Sequence, residues 1–337
     1  MTVQLLTHSW RMARVATAAL ALTAAALTVS GPATSHSAPQ AAPAAAAGVP
    51  CLTKASAERV RVGSGLNGVD PNTVTFAESQ QAETRLQAKA RQRGLSAERV
   101  TLKKAKIDVY VHVITTDAGR GGVSKKRIKQ QIAVLNKAYA GKSSSKSKKT
   151  PFTFKLKSID KTKNSSWYSW TAPTETSVGD DVAPKEALHK GGADDLNLYI
   201  ASLTGGVLGY ATFPDDTTLL RDGVVVLNES LPGGKAKPYN KGDTLTHEVG
   251  HWLGLYHTFQ NGCVAPGDQV EDTPYQSDNP ETIFSCEKED TCVSAGKDPV
   301  HNFMSYGDDK CLDRFSKGQV SRMATAWQLF RAPGAGA

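Results

Sequence analysis

The chain has 337 residues, a formal net charge of +8 and a hydrophobic content of 39%. This length accommodates one large domain with appended segments. Beyond the first 35 residues no apolar run approaches the length of a membrane-spanning helix, which excludes a protein with several such spans.

The N-terminus has the pattern of a secretory signal peptide. Two arginines precede the apolar stretch Val15–Val29, and small residues come after it, so cleavage between Ala33 and Ala38 is expected. An uncleaved signal anchor is the alternative, but the stretch is short and rich in alanine. We therefore expect residues 1–35 to be a signal peptide and the mature chain to be secreted and extracellular.

Residues 36–100 differ in composition from the rest of the chain. Residues 39–50 are an Ala/Pro-rich stretch of low complexity, and residues 77–100 are polar, charged and helix-prone. Nothing in this segment can build a core by itself. We interpret it as a linker and propeptide, with Arg91, Arg93 and Arg99 as candidate processing sites.

Periodic patterns of a folded domain begin near residue 101 and continue to the C-terminus at 337. Alternating or continuous apolar residues predict strands at 107–113, 152–156, 196–203, 209–213 and 224–227. Helical spacing predicts helices after Ser124, after Asp243 or Thr244, and after Ser316, which forms a capping box with Gln319. These elements indicate an α/β (α+β) fold with a mostly parallel sheet and three main helices.

Two lysine-rich stretches, 125–129 and 142–149, account for much of the positive charge. A basic stretch can bind nucleic acid, but no aromatic residues are interleaved here. We interpret these stretches as a solvated helix face and loop, and we expect no nucleic-acid partner.

The most informative pattern is the run HEVGHWLGLYH from His247 to His257. On a helix, His247 and His251 lie on one face, where both imidazoles can bind one metal ion. Gly254 can adopt a positive φ, which ends the helix and lets His257 return as a third ligand. Three protein ligands leave a fourth position for water, which is the arrangement of a catalytic zinc.

Glu248 is next to the first ligand and can reach a zinc-bound water rather than the metal. Zinc lowers the pKa of such a water to about 7, and Glu248 can accept its proton and pass it to a leaving amine. A bare H-E-x-x-H arises by chance on many helices. The third histidine and the Met-containing turn Asn302–Tyr306 are independent elements that support a peptidase.

Two other functions are weighed against this one. A non-catalytic module that keeps zinc for stability would not need Glu248 or a third histidine. A zinc hydrolase with a non-peptide substrate would not need the Met-containing turn.

Four of the five cysteines lie after the zinc motif: Cys263, Cys286, Cys292 and Cys311. In a secreted chain an even set indicates two disulfides, with three connectivities open. A second, structural zinc is the alternative, but no C-x-x-C pair is present. Cys51 is left over.

Together these segments resemble the pappalysin family of metzincins. The similarity covers roughly residues 101–332 and rests on Thr244–Phe259, Gly267–Pro274, Asn302–Tyr306, Asp309–Cys311, Phe315 and Gln319–Met323. The resemblance implies a secreted zinc endopeptidase made as a precursor. It also implies a metzincin fold with a twisted sheet and helices above the cleft and an irregular, disulfide-stapled lower subdomain.

The resemblance further implies roles around the zinc. Tyr306 would hydrogen-bond the oxyanion, and Met304 would form an apolar floor beneath the histidines. The strand Gly209–Phe213 would be an edge strand that binds extended substrate; an ordinary internal strand is the alternative.

Other implied features lie outside the zinc sphere. The resemblance favours the disulfides Cys263–Cys292 and Cys286–Cys311, and it places structural calcium near the acidic loop, where Asp268, Asp272 and Thr273 are candidate ligands. Cys51 would deliver a thiolate to the zinc and keep the precursor latent; a free propeptide cysteine is the alternative. The expected partners are protein or peptide substrates, with no stable membrane association after signal removal and a monomeric enzyme.

Overall fold

The structure is a computed structural model that describes residues 74–95, 104–173, 179–214 and 218–335. The predicted signal peptide, the low-complexity linker and Cys51 lie outside the described residues. No helix among the residues that can be described has the length and apolar character needed to cross a membrane.

The regular elements succeed one another as α1 (Phe76–Gln92), β1 (Ala105–Thr115), α2 (Lys125–Tyr139), β2 (Phe152–Lys163), β3 (Ser169–Trp170), α3 (Val182–Leu188), β4 (Leu196–Leu203), β5 (Gly209–Ala211), β6 (Val224–Leu227), α4 (Asp243–Trp252) and α5 (Lys317–Ala326). A 3₁₀ turn at Leu219–Arg221 and a π-helical segment at Trp327–Arg331 complete them. Each predicted strand and each of the three predicted main helices is present.

The strands form a sheet in the order β2-β1-β4-β6-β5, with β3 paired to β4 outside this path. The pairs β1–β2, β1–β4 and β4–β6 are parallel, whereas β5 runs antiparallel to β6 at the edge. Parallel strands are covered on both faces, which explains why β6 is a continuous apolar run and why the first six residues of β4 are buried in succession. The predicted fold class, a mostly parallel α/β sheet, is confirmed, and β5 is an edge strand.

Helices α2, α4 and α5 pack their apolar residues against one side of this sheet and form the main core. Ser124 and Ser316 cap α2 and α5 through their side chains, as predicted. The predicted cap of α4 is wrong, because the helix begins at Asp243 and its N-cap is Gly242, with φ 104°. A distant carboxylate, Asp309, instead accepts hydrogen bonds from the Gly242 N–H and its neighbour Lys241.

The stretch from 253 to 316, all of which the structure describes, contains no α-helix and no strand. Its only β-pairing is the isolated bridge between Asn302 and Arg314. The disulfides Cys263–Cys292 and Cys286–Cys311 cross-link it, in the pairing that the resemblance implies. We call residues 253–316 the loop half and residues 104–252 the sheet half.

Candidate metal centre and its surroundings

Helix α4 carries the first half of the candidate metal centre into the interior. All ten of its residues are buried, and Leu245, Val249 and Trp252 belong to the main core. This packing fixes the orientation of the helix, because a rotation would expose large apolar side chains. His247, Glu248 and His251 are therefore held on the face that meets the loop half.

Three imidazoles converge at one point. The Nε2 atoms of His247, His251 and His257 lie 3.1, 3.1 and 3.2 Å apart, and all three side chains are buried. Ligand atoms about 2.0–2.1 Å from a tetrahedral zinc lie about 3.3–3.4 Å apart. Among the described residues, this is the one group of three or more His, Cys, Asp or Glu side chains close enough to share a metal ion.

The other ring nitrogens fix the tautomers of the first two histidines. His247 Nδ1 lies 2.6 Å from the Phe303 carbonyl oxygen, and His251 Nδ1 lies 2.7 Å from the Leu255 carbonyl oxygen. A carbonyl only accepts hydrogen bonds, so each Nδ1 donates and each Nε2 presents a lone pair. The chemistry of the donor set therefore fits a divalent zinc ion.

The turn after α4 brings the third histidine back. Gly254 has φ 89°, and a Cβ there would meet the Ala326 Cβ at 2.9 Å, so both the backbone conformation and the packing require glycine. His257 then stacks on Phe259, with ring centroids 4.8 Å apart and planes 8° apart. The positive φ expected of Gly254 is present.

Met304, in the turn Asn302–Tyr306, packs against α4, the helix that carries His247 and His251. A Cβ on Gly250 of α4 would lie 2.3 Å from the Met304 sulfur, so the absence of a side chain at 250 makes room for it. Asn302 and Gln319 exchange amide hydrogen bonds of 2.8 and 3.0 Å, which tie the turn to the start of α5. Met304 is fully buried and packs against α4 at Gly250, and its role as an apolar floor beneath the histidines stays a prediction.

Glu248 lies against the edge strand of the sheet. A Cβ on Gly209 of β5 would come within 2.9 Å of the Glu248 Cγ and 3.1 Å of its Oε1. The glycine therefore lets the buried carboxylate pack directly on the β5 backbone. Sequence reasoning treated Gly209 only as part of a strand and missed this contact.

Tyr306 is also fully buried. Its ring centroid lies 4.9 Å from that of His257 and 5.8 Å from that of His247, and it contacts Phe259 and Phe284 as well. The structure thus brings Tyr306 beside two of the three histidines, His247 and His257.

A buried ion pair anchors the end of α4. Both oxygens of Asp222 accept from the Arg331 guanidinium, at 2.7 and 3.0 Å, and the Trp252 indole and Thr212 hydroxyl also donate to this carboxylate. Burial raises the pKa of Asp222, but Arg331 and the two neutral donors outweigh it and hold that pKa below its usual value. Nothing in the local sequence indicates this pair, because its residues come from distant segments.

The two candidate calcium-binding carboxylates of the acidic loop, Asp268 and Asp272, lie in different environments. Asp268 is buried, and neither its Oδ2 nor the Thr273 hydroxyl makes a hydrogen bond of normal geometry among the described residues. Burial raises the pKa of Asp268 well above its usual value. Asp272 is exposed and accepts from Ser316 and from the Gly318 N–H at the start of α5. Asp268 and Thr273 are therefore buried with polar atoms that lack a hydrogen bond of normal geometry among the described residues, whereas Asp272 caps the start of α5.

Comparisons with known proteins agree with this architecture. The family model described as "Pregnancy-associated plasma protein-A" matches residues 191–328. Extracellular metalloprotease 1 of Coccidioides posadasii is 40% identical over 233 residues, which span 67% of this chain and 78% of that protein. An extracellular metalloprotease of Podospora anserina is 38% identical over 302 residues, or 85% of this chain and 96% of that protein.

Solved structures from Tannerella forsythia are similar as well. Mature mirolysin in complex with a cleaved peptide shares 28% identity, with a TM-score of 0.56 and coverage of 68% of this chain and 93% of that one. A promirolysin mutant shares 25% identity, with a TM-score of 0.60 and coverage of 76% and 90%.

Proposed function

The chain belongs to the pappalysin family of metzincin metalloproteases, and from that premise we propose that it is a secreted zinc endopeptidase with Glu248 as its general base. The family makes it a metallopeptidase with protein or peptide substrates. Its zinc would be held by His247, His251 and His257. The observation that carries the proposal is the convergence of three Nε2 atoms within 3.2 Å beside a buried glutamate.

Bound zinc would supply Lewis-acid polarisation of the scissile carbonyl and a water of lowered pKa. Glu248 would take up a proton on its carboxylate and return it to the leaving amine. The Tyr306 hydroxyl would donate to the developing oxyanion. Burial of both side chains excludes bulk water from the reaction, which strengthens each of these electrostatic interactions.

Substrate would bind along β5. An extended peptide can add to the edge of a sheet through main-chain hydrogen bonds, and β5 ends the strand order on this side. Because Glu248 packs on Gly209 of this strand, a peptide aligned there would pass the general base.

The test is the substitution Glu248→Gln in the full chain. It removes the proton acceptor but keeps size and packing, so zinc content should be unchanged while casein cleavage falls by about 10²–10⁴-fold, the usual contribution of a general base. Glu271→Gln changes the charge equally on an exposed side chain of the same chain and should leave cleavage unchanged. Full activity of the Glu248 variant would refute the mechanism.

We also propose that calcium binds in the acidic loop at Asp268 and Thr273. A divalent cation would relieve the cost of burying the Asp268 carboxylate, and oxygen ligands suit calcium. Calcium should raise the melting temperature of the parent after treatment with a calcium-selective chelator, and it should not do so for Asp268→Asn. An equal rise in both proteins would exclude Asp268 as a ligand.

Export and latency complete the proposal. The N-terminal pattern and the extracellular relatives support secretion as a precursor, and Cys51 would block the zinc until processing. A Cys51→Ser precursor should then be more active than the parent precursor. Equal activity of the two precursors would show that Cys51 is a free propeptide cysteine.

A further inference from the structure

Arg322 of α5 contacts the turn that joins the second and third histidines. Its side chain is only 11% exposed. Its Nε donates to the Gly254 carbonyl oxygen at 2.8 Å, and its guanidinium carbon lies 4.9 Å from the centroid of the Tyr256 ring. One side chain thus contacts the residues on both sides of Leu255.

These contacts lead directly to the metal centre. Leu255 supplies the carbonyl that orients His251, and Tyr256 immediately precedes His257. A displacement of the turn would move His257 away from the two histidines of α4 and would remove the carbonyl that orients the His251 ring. Outer contacts of this kind influence metal affinity because they fix the geometry of the ligands.

The counter-ion of Arg322 comes from residues 36–100, the segment predicted to be a linker and propeptide. Glu83 of α1 forms an ion pair with the guanidinium and is itself only 13% exposed. Burial lowers the pKa of Arg322, and the Glu83 carboxylate more than offsets that effect. Without α1 the guanidinium would lose a partner inside the protein, which is unfavourable for any buried charge.

Further contacts hold α1 along its length. Leu86 and Ala90 pack against Leu329, and the Lys89 ammonium lies 4.6 Å from the centroid of the Phe330 ring. At its N-terminal end the Val74 carbonyl accepts from Gln260 of the loop half at 2.6 Å.

The C-terminal end of α1 is also fixed. Arg93 donates to the Gln328 carbonyl at 3.1 Å and also to the carbonyl of Ala335. Processing at Arg91 or Arg93 would cut the chain where it is bound at both sides of the cut.

We propose that Arg322 is a positioning residue for the metal centre and that α1, through Glu83, is a permanent part of the mature enzyme. The propeptide would then end before Val74 rather than near residue 100. This inference rests on the proposed zinc site, because the turn matters only if His251 and His257 hold the metal.

The first test is the N-terminus of the secreted, active protein, determined by intact mass and N-terminal sequencing. A mature chain that begins at or before Val74 supports the proposal. A fully active chain that begins after Leu95 overturns it, since α1 would then be dispensable.

The second test measures zinc affinity by competition with a chromophoric chelator for Glu83→Gln, Arg322→Gln and the double variant. Each single variant should bind zinc about tenfold more weakly, the lower end of the effect of outer-shell partners. The double variant should be no weaker than Arg322→Gln alone, because the two residues act through one interaction.

Two controls separate positioning from general stability. Gln81→Lys makes the same change in charge as Glu83→Gln on an exposed residue of α1, and Ile128→Val weakens the main core at a position on α2. Both should keep the zinc affinity of the parent.

Unchanged zinc affinity in Glu83→Gln and Arg322→Gln would overturn the role of Arg322, although the parent would still bind zinc and cleave casein. A parent that binds no zinc would overturn the proposed function itself. The two failures are therefore distinguishable.

Discussion

The sheet half and the loop half each bury a carboxylate, and the two carboxylates have opposite environments. Asp222, just before β6, accepts hydrogen bonds from a bidentate guanidinium and from two neutral donors, and its pKa is lowered. Asp268, in the loop half, has no such cation bonded to it, and burial raises its pKa. The buried carboxylate of the sheet half is therefore neutralised by an arginine from the C-terminal segment, whereas the Oδ2 of Asp268 has no hydrogen-bond partner among the described residues.

The same contrast applies to how each half is held together. The sheet half buries long apolar strands and helices, which supply stability in proportion to the area removed from water. The loop half has little regular structure and relies on two disulfides and on side-chain bonds such as Asn302–Gln319. The candidate metal centre lies where the halves meet, with two histidines on α4 and the third histidine, Met304 and Tyr306 in the loop half.

The largest effect is expected from Asp222→Asn in the sheet half. Loss of one partner leaves the buried Arg331 guanidinium uncompensated, and breaking such a pair costs about 3–5 kcal/mol. The free energy of unfolding in urea measures this loss. Asp108→Asn, which removes a carboxylate from an exposed pair with Lys157, is the matched control and should change stability little. A small effect of both substitutions would mean that the stability of the fold does not depend on the Asp222–Arg331 ion pair.

A smaller effect, concentrated in the loop half, is expected from the double substitution Cys286→Ser and Cys311→Ser. Removing this cross-link should lower stability by about 2–4 kcal/mol, mainly by freeing the unfolded chain. Limited proteolysis should then cut the variant within residues 277–298 before any cut appears in the sheet half. If the first cuts appear in the sheet strands, the disulfide does not stabilise the loop half specifically.

At the junction of the halves, Gly250→Ala should cost about 1–3 kcal/mol, the usual effect of overpacking a core. The new Cβ would lie 2.3 Å from the Met304 sulfur and would push the turn away from the histidines. The displaced turn should also weaken the binding of zinc by Gly250→Ala. Adding Met304→Ala should restore much of that zinc affinity, because it removes the clash. If the double variant binds zinc no better than Gly250→Ala, the clash is not the cause.

The sequence was sufficient for the strand order along the chain, the three main helices and the histidine motif. These depend on local periodicity and on fixed spacings on one helix, which the chain itself carries. The N-cap of α4 differs from the prediction, because Gly242 occupies it and a distant carboxylate, Asp309, holds the backbone N–H groups of Lys241 and Gly242.

Long-range electrostatic partners could not be predicted for the same reason. Asp222 and Arg331 are 109 residues apart, and Glu83 and Arg322 are 239 residues apart. Each looks like an ordinary charged surface residue until the fold brings the pair together. The composition of residues 77–92 likewise indicated a helix but not the surface on which it packs.

The smallest expected effect is the loss of folding stability at acid pH that Asp222 contributes. It tests the contrast between the two buried carboxylates in the unmodified protein. The pKa of Asp222 is lower in the folded protein than in the unfolded chain, where it is about 3.9. The unfolded state therefore binds more protons in this range, so the contribution of Asp222 is fully present above about pH 4 and is lost as the pH falls through the lower, folded value. Urea unfolding of the parent between pH 6 and pH 3 should show this loss, and Asp222→Asn should show a shallower decline. Parallel declines in the two proteins would mean that the acid sensitivity of the fold arises from other carboxylates.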